Sequence, residues 1–135
     1  MRGAVTVVDA SALSAFLLRE EGWGDLAGYL AYAVAPDHVA KEVANAVWKA
    51  VRTGALTEQE SRRALSLLLR MVDRSLLLEP ELRYPERAFE TSLACSIAVY
   101  DALYIALVLE KSLPLLTLDR EQRRVAGALK ARVKP

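Results

Sequence analysis

The chain has 135 residues, 53% of them hydrophobic, with 18 Lys and Arg against 17 Asp and Glu. That length and balance fit a single globular domain, residues 1–135, and exclude extended disorder, collagen-like repeats and coiled-coil composition. One cysteine, Cys95, excludes an internal disulfide, and one histidine, His38, excludes a zinc site built from His and Cys; a net charge of +1 offers no global basic field for nucleic acid. If this protein performs chemistry, its carboxylates carry most of it.

The opening MRGAVTVVDAS has an apolar run too short for a signal-peptide core, so a cytoplasmic protein is expected. Ala4 to Val8 is a β-branched run suited to a strand buried on both faces. Ser11 can cap a helix running to Arg19 or Glu20, Gly22 and Gly24 break it, and Asp25 to Ala33 reads as a second helix. Val34 to Pro36 is a short strand. Asp37 then caps a periodic helix, with Val39, Val43, Ala46, Val47 and Ala50 on one stripe, which stops near Gly54; His38 beside the cap reads as a surface residue. Thr57 and Glu60 form a capping box opening a helix to about Val72. Ser75 to Leu78 is a strand candidate, and helical spacing runs from Pro85 to about Ser96 and again from Tyr100 to Lys111. Leu93 to Leu109 approaches the roughly 17 residues of the shortest spanning helix, but Asp101 at its centre makes a buried core helix the better reading and a membrane partner unexpected. Leu115 to Leu118 is a buried strand, Asp119 or Arg120 opens a last helix to about Leu129, and Ala131 to Lys134 is a short final strand. Short apolar strands alternating with amphipathic helices predict an α/β fold, a mainly parallel sheet covered by helices on both sides. Sites in such sheets form at the carboxyl ends of the strands.

Four acidic residues stand in apolar company. Asp9 follows the AVTVV strand, Asp119 ends PLLTLD, Glu42 sits at the edge of a helical apolar stripe, and Asp101 is the only charge between Leu93 and Leu109. Asp9 and Asp119 are also well placed to cap the helices that follow them, and Glu42 could reach solvent. Two of the four fall at one rim of the expected sheet, and two on helices whose apolar faces must meet it. Carboxylates brought that close repel unless cations intervene, and oxygen-only ligand sets suit Mg²⁺ or Mn²⁺. One or two such ions support hydrolysis of a phosphodiester.

The segments VVDAS, KEVANAVWKA, VYDALYIALVLE and LLTLDRE, in that order, resemble the PIN-domain nucleases, above all the compact VapC toxins of VapBC toxin–antitoxin pairs. The resemblance spans the whole chain and implies an α/β/α sandwich, Mg²⁺ or Mn²⁺, an RNA substrate, a homodimer and a VapB-type antitoxin blocking the active-site groove. It implies that Asp9, Asp101 and Asp119 bind metal, that Glu42 binds metal or orients the attacking water, and that Ser11 and Thr117 stand behind the metal with Glu121 as a further acid. Cleavage would leave a 5′-phosphate and a 3′-hydroxyl. Arg120, Arg123 and Arg124 follow the fourth aspartate and are candidates for RNA contacts, whereas Arg63, Arg70 and Arg74 read as a solvated helix face. Trp23, Tyr29, Tyr32 and Trp48 read as core or dimer-interface residues and Cys95 as a small core hydrophobe. A phosphatase using Asp9 as nucleophile is disfavoured, because Ser11 stands where a second aspartate is needed. Two readings stay beside the toxin: an RNA-processing nuclease that is not a toxin, and a non-catalytic binding module. Neutralising the four carboxylates with metal removes four negative charges from +1 and leaves the remainder at +5, a mildly basic surface around an acidic pocket.

Overall fold

A computed structural model describes residues 3–135. Five strands form one sheet in the order β3-β2-β1-β4-β5, and every pairing is parallel. They are β1 (Thr6–Val8), β2 (Ala33–Pro36), β3 (Leu76–Glu79), β4 (Leu115–Leu116) and β5 (Val133–Lys134). Seven α-helices, α1 (Ala10–Leu17), α2 (Ala27–Leu30), α3 (Val39–Arg52), α4 (Glu58–Arg74), α5 (Pro85–Cys95), α6 (Val99–Lys111) and α7 (Arg120–Ala128), supply the crossovers that parallel strands require. Val7, Val8, Val34, Ala35, Leu115 and Leu116 are all sealed from solvent, which is why the central strands read as unbroken apolar runs. Helix α6 packs across β1, β2 and β4, and α1, α3 and α4 pack on one another.

Local chemistry sets most boundaries. The capping box is present, with the Thr57 hydroxyl accepting from the Glu60 N–H at 3.1 Å and Glu60 Oε1 accepting from the Thr57 N–H at 3.0 Å. Helix α3 ends where Gly54 takes φ +82°, a left-handed turn that glycine adopts without steric cost. The expected helix over 25–33 is a 3₁₀ turn (Trp23–Leu26) and the single turn of α2, after which β2 opens at Ala33. Strand β1 opens two residues later than expected, at Thr6.

The long apolar segment is two helices. Ser96 closes α5 in the left-handed region at φ +56°, Ala98 is extended, and the axes of α5 and α6 diverge by 116°. Asp101 therefore lies in the first turn of α6, with Ala102 to Val108 buried behind it. Among the described residues, no single helix is long and apolar enough to cross a membrane.

His38 corrects the sequence reading. It is 2% exposed, not a surface residue, because the start of α3 faces α6 and the imidazole packs on the rings of Tyr104 and Tyr100 at centroid distances of 4.9 and 5.8 Å. His38 occupies the N-cap position of α3 without a side-chain capping bond, so Asp37 does not cap it. Trp23 and Trp48 are exposed rather than core, each with an arginine guanidinium 5.4 Å from its ring centroid (Arg19 and Arg52). Tyr32 is exposed as well, whereas Tyr29 and Cys95 are partly buried against the core.

Candidate active site at the carboxyl ends of the central strands

Strands β1 and β4 lie side by side, so the residues that follow them share one rim of the sheet. Asp9 leaves β1 and caps α1, its Oδ1 accepting from the Ala12 N–H at 3.1 Å and from the Ser11 hydroxyl at 2.6 Å. The buried Thr117 hydroxyl, just past β4, donates to Asp9 Oδ2 and accepts from the Asp119 N–H at 3.0 Å. Ser11 accepts in turn from the Leu118 N–H at 2.9 Å. The two rim segments are thus joined through the Asp9 carboxylate and two hydroxyls. Asp119 caps α7, accepting from the Gln122 N–H at 2.9 Å, and its side chain is open to solvent. Capping and membership of the acidic group coexist in both aspartates.

Glu42 and Asp101 come from the helices. Glu42 Oε1 accepts from the Tyr104 hydroxyl at 2.6 Å and lies 3.1 Å from His38 Nε2. His38 Nε2 also lies 3.1 Å from the Tyr100 carbonyl oxygen, so it carries the proton toward both acceptors. Gln122 Nε2 donates to the Asp101 carbonyl at 3.1 Å and ties α7 to α6.

Charge from neighbouring carboxylates reaches two of the four, Asp9 and Asp101. Burial pushes Asp9 up to about 6, against the lowering effect of Ser11, Thr117 and Ala12, and the Asp119 charge adds to the rise. Asp101 is raised by burial and then by the charges of Glu42 and Asp119, with His38 opposing. Burial also raises Glu42, but the bonds from His38 and Tyr104 outweigh it and hold it below the usual range. Tyr104 is raised far above the ordinary phenol range by burial and by Glu42, and stays a neutral donor.

The remaining candidates stand on α7, after Asp119. Glu121 is drawn to Arg124, with 2.8 Å between Oε2 and Nη2, and among the described residues no contact links it to the four acids. Arg124 also donates to the Cys95 carbonyl, Arg123 reaches the Thr117 carbonyl at 3.4 Å, and Arg120 is exposed at the start of α7. Sequence reasoning missed His38, Tyr104 and Gln122. A usable signal existed for two: His38 precedes Glu42 by four residues and Tyr104 follows Asp101 by three, spacings that place each pair on one helix face.

The donor set is all oxygen, mutually repelling and partly desolvated, which fits a hard divalent cation. Among the described residues, no three acidic, histidine or cysteine side chains stand close enough to form a ready-made coordination cluster. A cation would have to draw the carboxylates inward. An open cleft of about 540 Å³ begins beside Ser11 and Glu42 and runs between α1 and α3.

Three comparisons bear on this arrangement. The family model for the PIN domain matches residues 6–128. The chain is 36% identical over 118 residues to Ribonuclease VapC3 of Pyrobaculum aerophilum, covering 85% of this chain and 89% of that protein. It is 33% identical over 133 residues to Ribonuclease VapC1 of Mycobacterium tuberculosis, covering 92% and 88%. The crystal structure of PAE2754 from Pyrobaculum aerophilum superposes with a TM-score of 0.70 at 24% identity, over 92% of this chain and 87% of that one, a likeness of fold.

Proposed function

The chain belongs to the PIN-domain family, and from that premise we propose that it is the endoribonuclease toxin of a VapBC-type toxin–antitoxin pair, dependent on a divalent cation. Relatives matched over most of their length are ribonucleases by name, and the enzyme is a hydrolase of RNA phosphodiesters. The observation that carries the catalytic reading is that four residues spread across the sequence converge, Asp9 and Asp119 after adjacent strands, with Asp101 feeling the charges of Glu42 and Asp119 and Asp9 that of Asp119.

Asp9, Asp101 and Asp119 would hold Mg²⁺ or Mn²⁺, as one ion or two, with Glu42 beside them. When bound, the cation neutralises phosphate charge and acidifies water. Ser11 and Thr117 fix the orientation of Asp9, and Tyr104 and His38 keep Glu42 ionised, so that it can take a metal or hold and deprotonate the attacking water. Arg120 and Arg123 stand beside Asp119 and offer positive charge to the RNA backbone, whereas Glu121 is committed to Arg124. A VapB-type antitoxin would act by covering the acidic groove. The exposed Phe89, Leu93 and Tyr100 around the α5–α6 bend support a second copy of the chain as a further partner.

Cleavage of a labelled RNA by nuclease-free protein, with Mg²⁺ or Mn²⁺ against EDTA, tests the reading. Asp101→Asn should abolish metal-dependent cleavage, and full activity in that variant would overturn the assignment. Calorimetry with Mn²⁺ separates an enzyme from a binding module of the same fold, which would bind no metal or bind it regardless of Asp9→Asn.

A further inference from the structure

We infer that the cleft between α1 and α3 is a subsite for the nucleotide next to the scissile phosphate, with Lys49 pairing that nucleotide's phosphate; the inference rests on the nuclease reading above. Glu42, Asn45, Ala46 and Lys49 follow at intervals of three, one and three residues and form one row on α3. All four line the cleft, facing Ser11 and Ser14 across it. Lys49 lies seven residues beyond Glu42, about 10 Å along the helix axis, so the row leads away from the acidic group toward a single cation.

Three features point to an anionic, hydrogen-bonding occupant. Among the described residues, Lys49 is the only cation lining the cleft, and it is exposed with no carboxylate paired to it. The Ser14 hydroxyl, in a residue 9% exposed, has no hydrogen-bond partner among the described residues. That oxygen is sealed from solvent as it stands, so an occupant completes it only when the Ser14 side chain turns toward the cleft. Asn45 adds a donor and an acceptor between them, and Leu118, 45% exposed at the mouth, offers an apolar face for a base. Glu20 and Glu42 also border the cleft and disfavour a second phosphate beside them, which restricts the contact to the Lys49 end. About 540 Å³ lies within the usual range of small-molecule sites of roughly 300–1,000 Å³.

The test uses binding, so that it stands apart from catalysis. In an Asp101→Asn background, the affinity for a fluorescein-labelled single-stranded RNA of mixed sequence is measured by anisotropy across a salt series. Lys49→Gln should weaken binding several-fold at low salt and reduce the log–log salt slope by about 0.7, the loss of one phosphate contact to a single strand. Lys49→Arg should restore the slope, Asn45→Ala should weaken binding without changing it, and Arg62→Gln, on an exposed part of α4 outside the cleft, should leave both unchanged. An unaltered slope in Lys49→Gln overturns the subsite, as does a variant that loses antitoxin binding alone. If the parent chain cleaves no RNA with Mg²⁺ or Mn²⁺, the nuclease reading fails instead, and the two failures are told apart.

Discussion

Asp9 and Glu42 stand on opposite sides of the same site and have been given opposite environments. Asp9 receives three hydrogen bonds, yet burial and the charge of Asp119 still push it up to about 6. Glu42 is half open to solvent and receives bonds from only Tyr104 and His38, yet it is held below the usual carboxylate range. Hydrogen bonds from neutral hydroxyls orient a carboxylate but do not offset full desolvation, whereas a partly hydrated one needs only two good donors. The strand side is therefore arranged for a charge that a cation must stabilise, and the helix side keeps an ionised group ready without one.

The largest effect should come from the strand side. Asp9→Asn should lower metal-dependent RNA cleavage by about 100-fold or more, measured as initial rate at saturating Mn²⁺. The same variant should be more stable than the parent in EDTA at pH 7. Native Asp9 keeps its proton to about pH 6 while the unfolded chain releases it near 3.8, so the unfolded state binds fewer protons in that window and Asp9 makes stability fall as pH rises through it. Removing that penalty is worth about 1–3 kcal/mol, visible in urea melts as a higher midpoint with unchanged slope. A loss of stability in EDTA would show instead that the three hydrogen bonds outweigh the burial of charge.

Next in size is the helix side. Tyr104→Phe removes the hydroxyl that holds Glu42 ionised, and should cost about tenfold in activity with folding little changed. The acid limb of the pH–rate profile should move to higher pH, because Glu42 then loses part of what lowers it; an unmoved limb would confine Tyr104 to packing. The smallest effect belongs to the exposed Glu121–Arg124 pair: Glu121→Gln should change cleavage by less than about twofold.

What could be read from sequence followed the strength of local signals. The Thr57–Glu60 box, the buried strands and the Gly54 stop declare themselves within a few residues, and so do Asp9 and Asp119 at strand ends. His38 did not, because its burial depends on where α6 lies, 62 residues away at Tyr100. The two helical segments on either side of Ile97 were legible, but the sharp turn at Ser96 was not, since it is left-handed without a glycine to announce it. Gln122 was invisible for the same reason: its partner is the backbone of Asp101, and any residue offers a carbonyl there.

The bond from Thr117 to Asp9 spans 108 residues. The order of synthesis thus becomes a safeguard. A ribosome makes the chain from its amino terminus, and every shorter product lacks the hydroxyl that orients the first aspartate, the Asp119 carboxylate and the central neighbour of β1. A nascent chain interrupted before β4 has neither Thr117 nor Asp119, so the rim around Asp9 is assembled only after β4 and the turn behind it have been made.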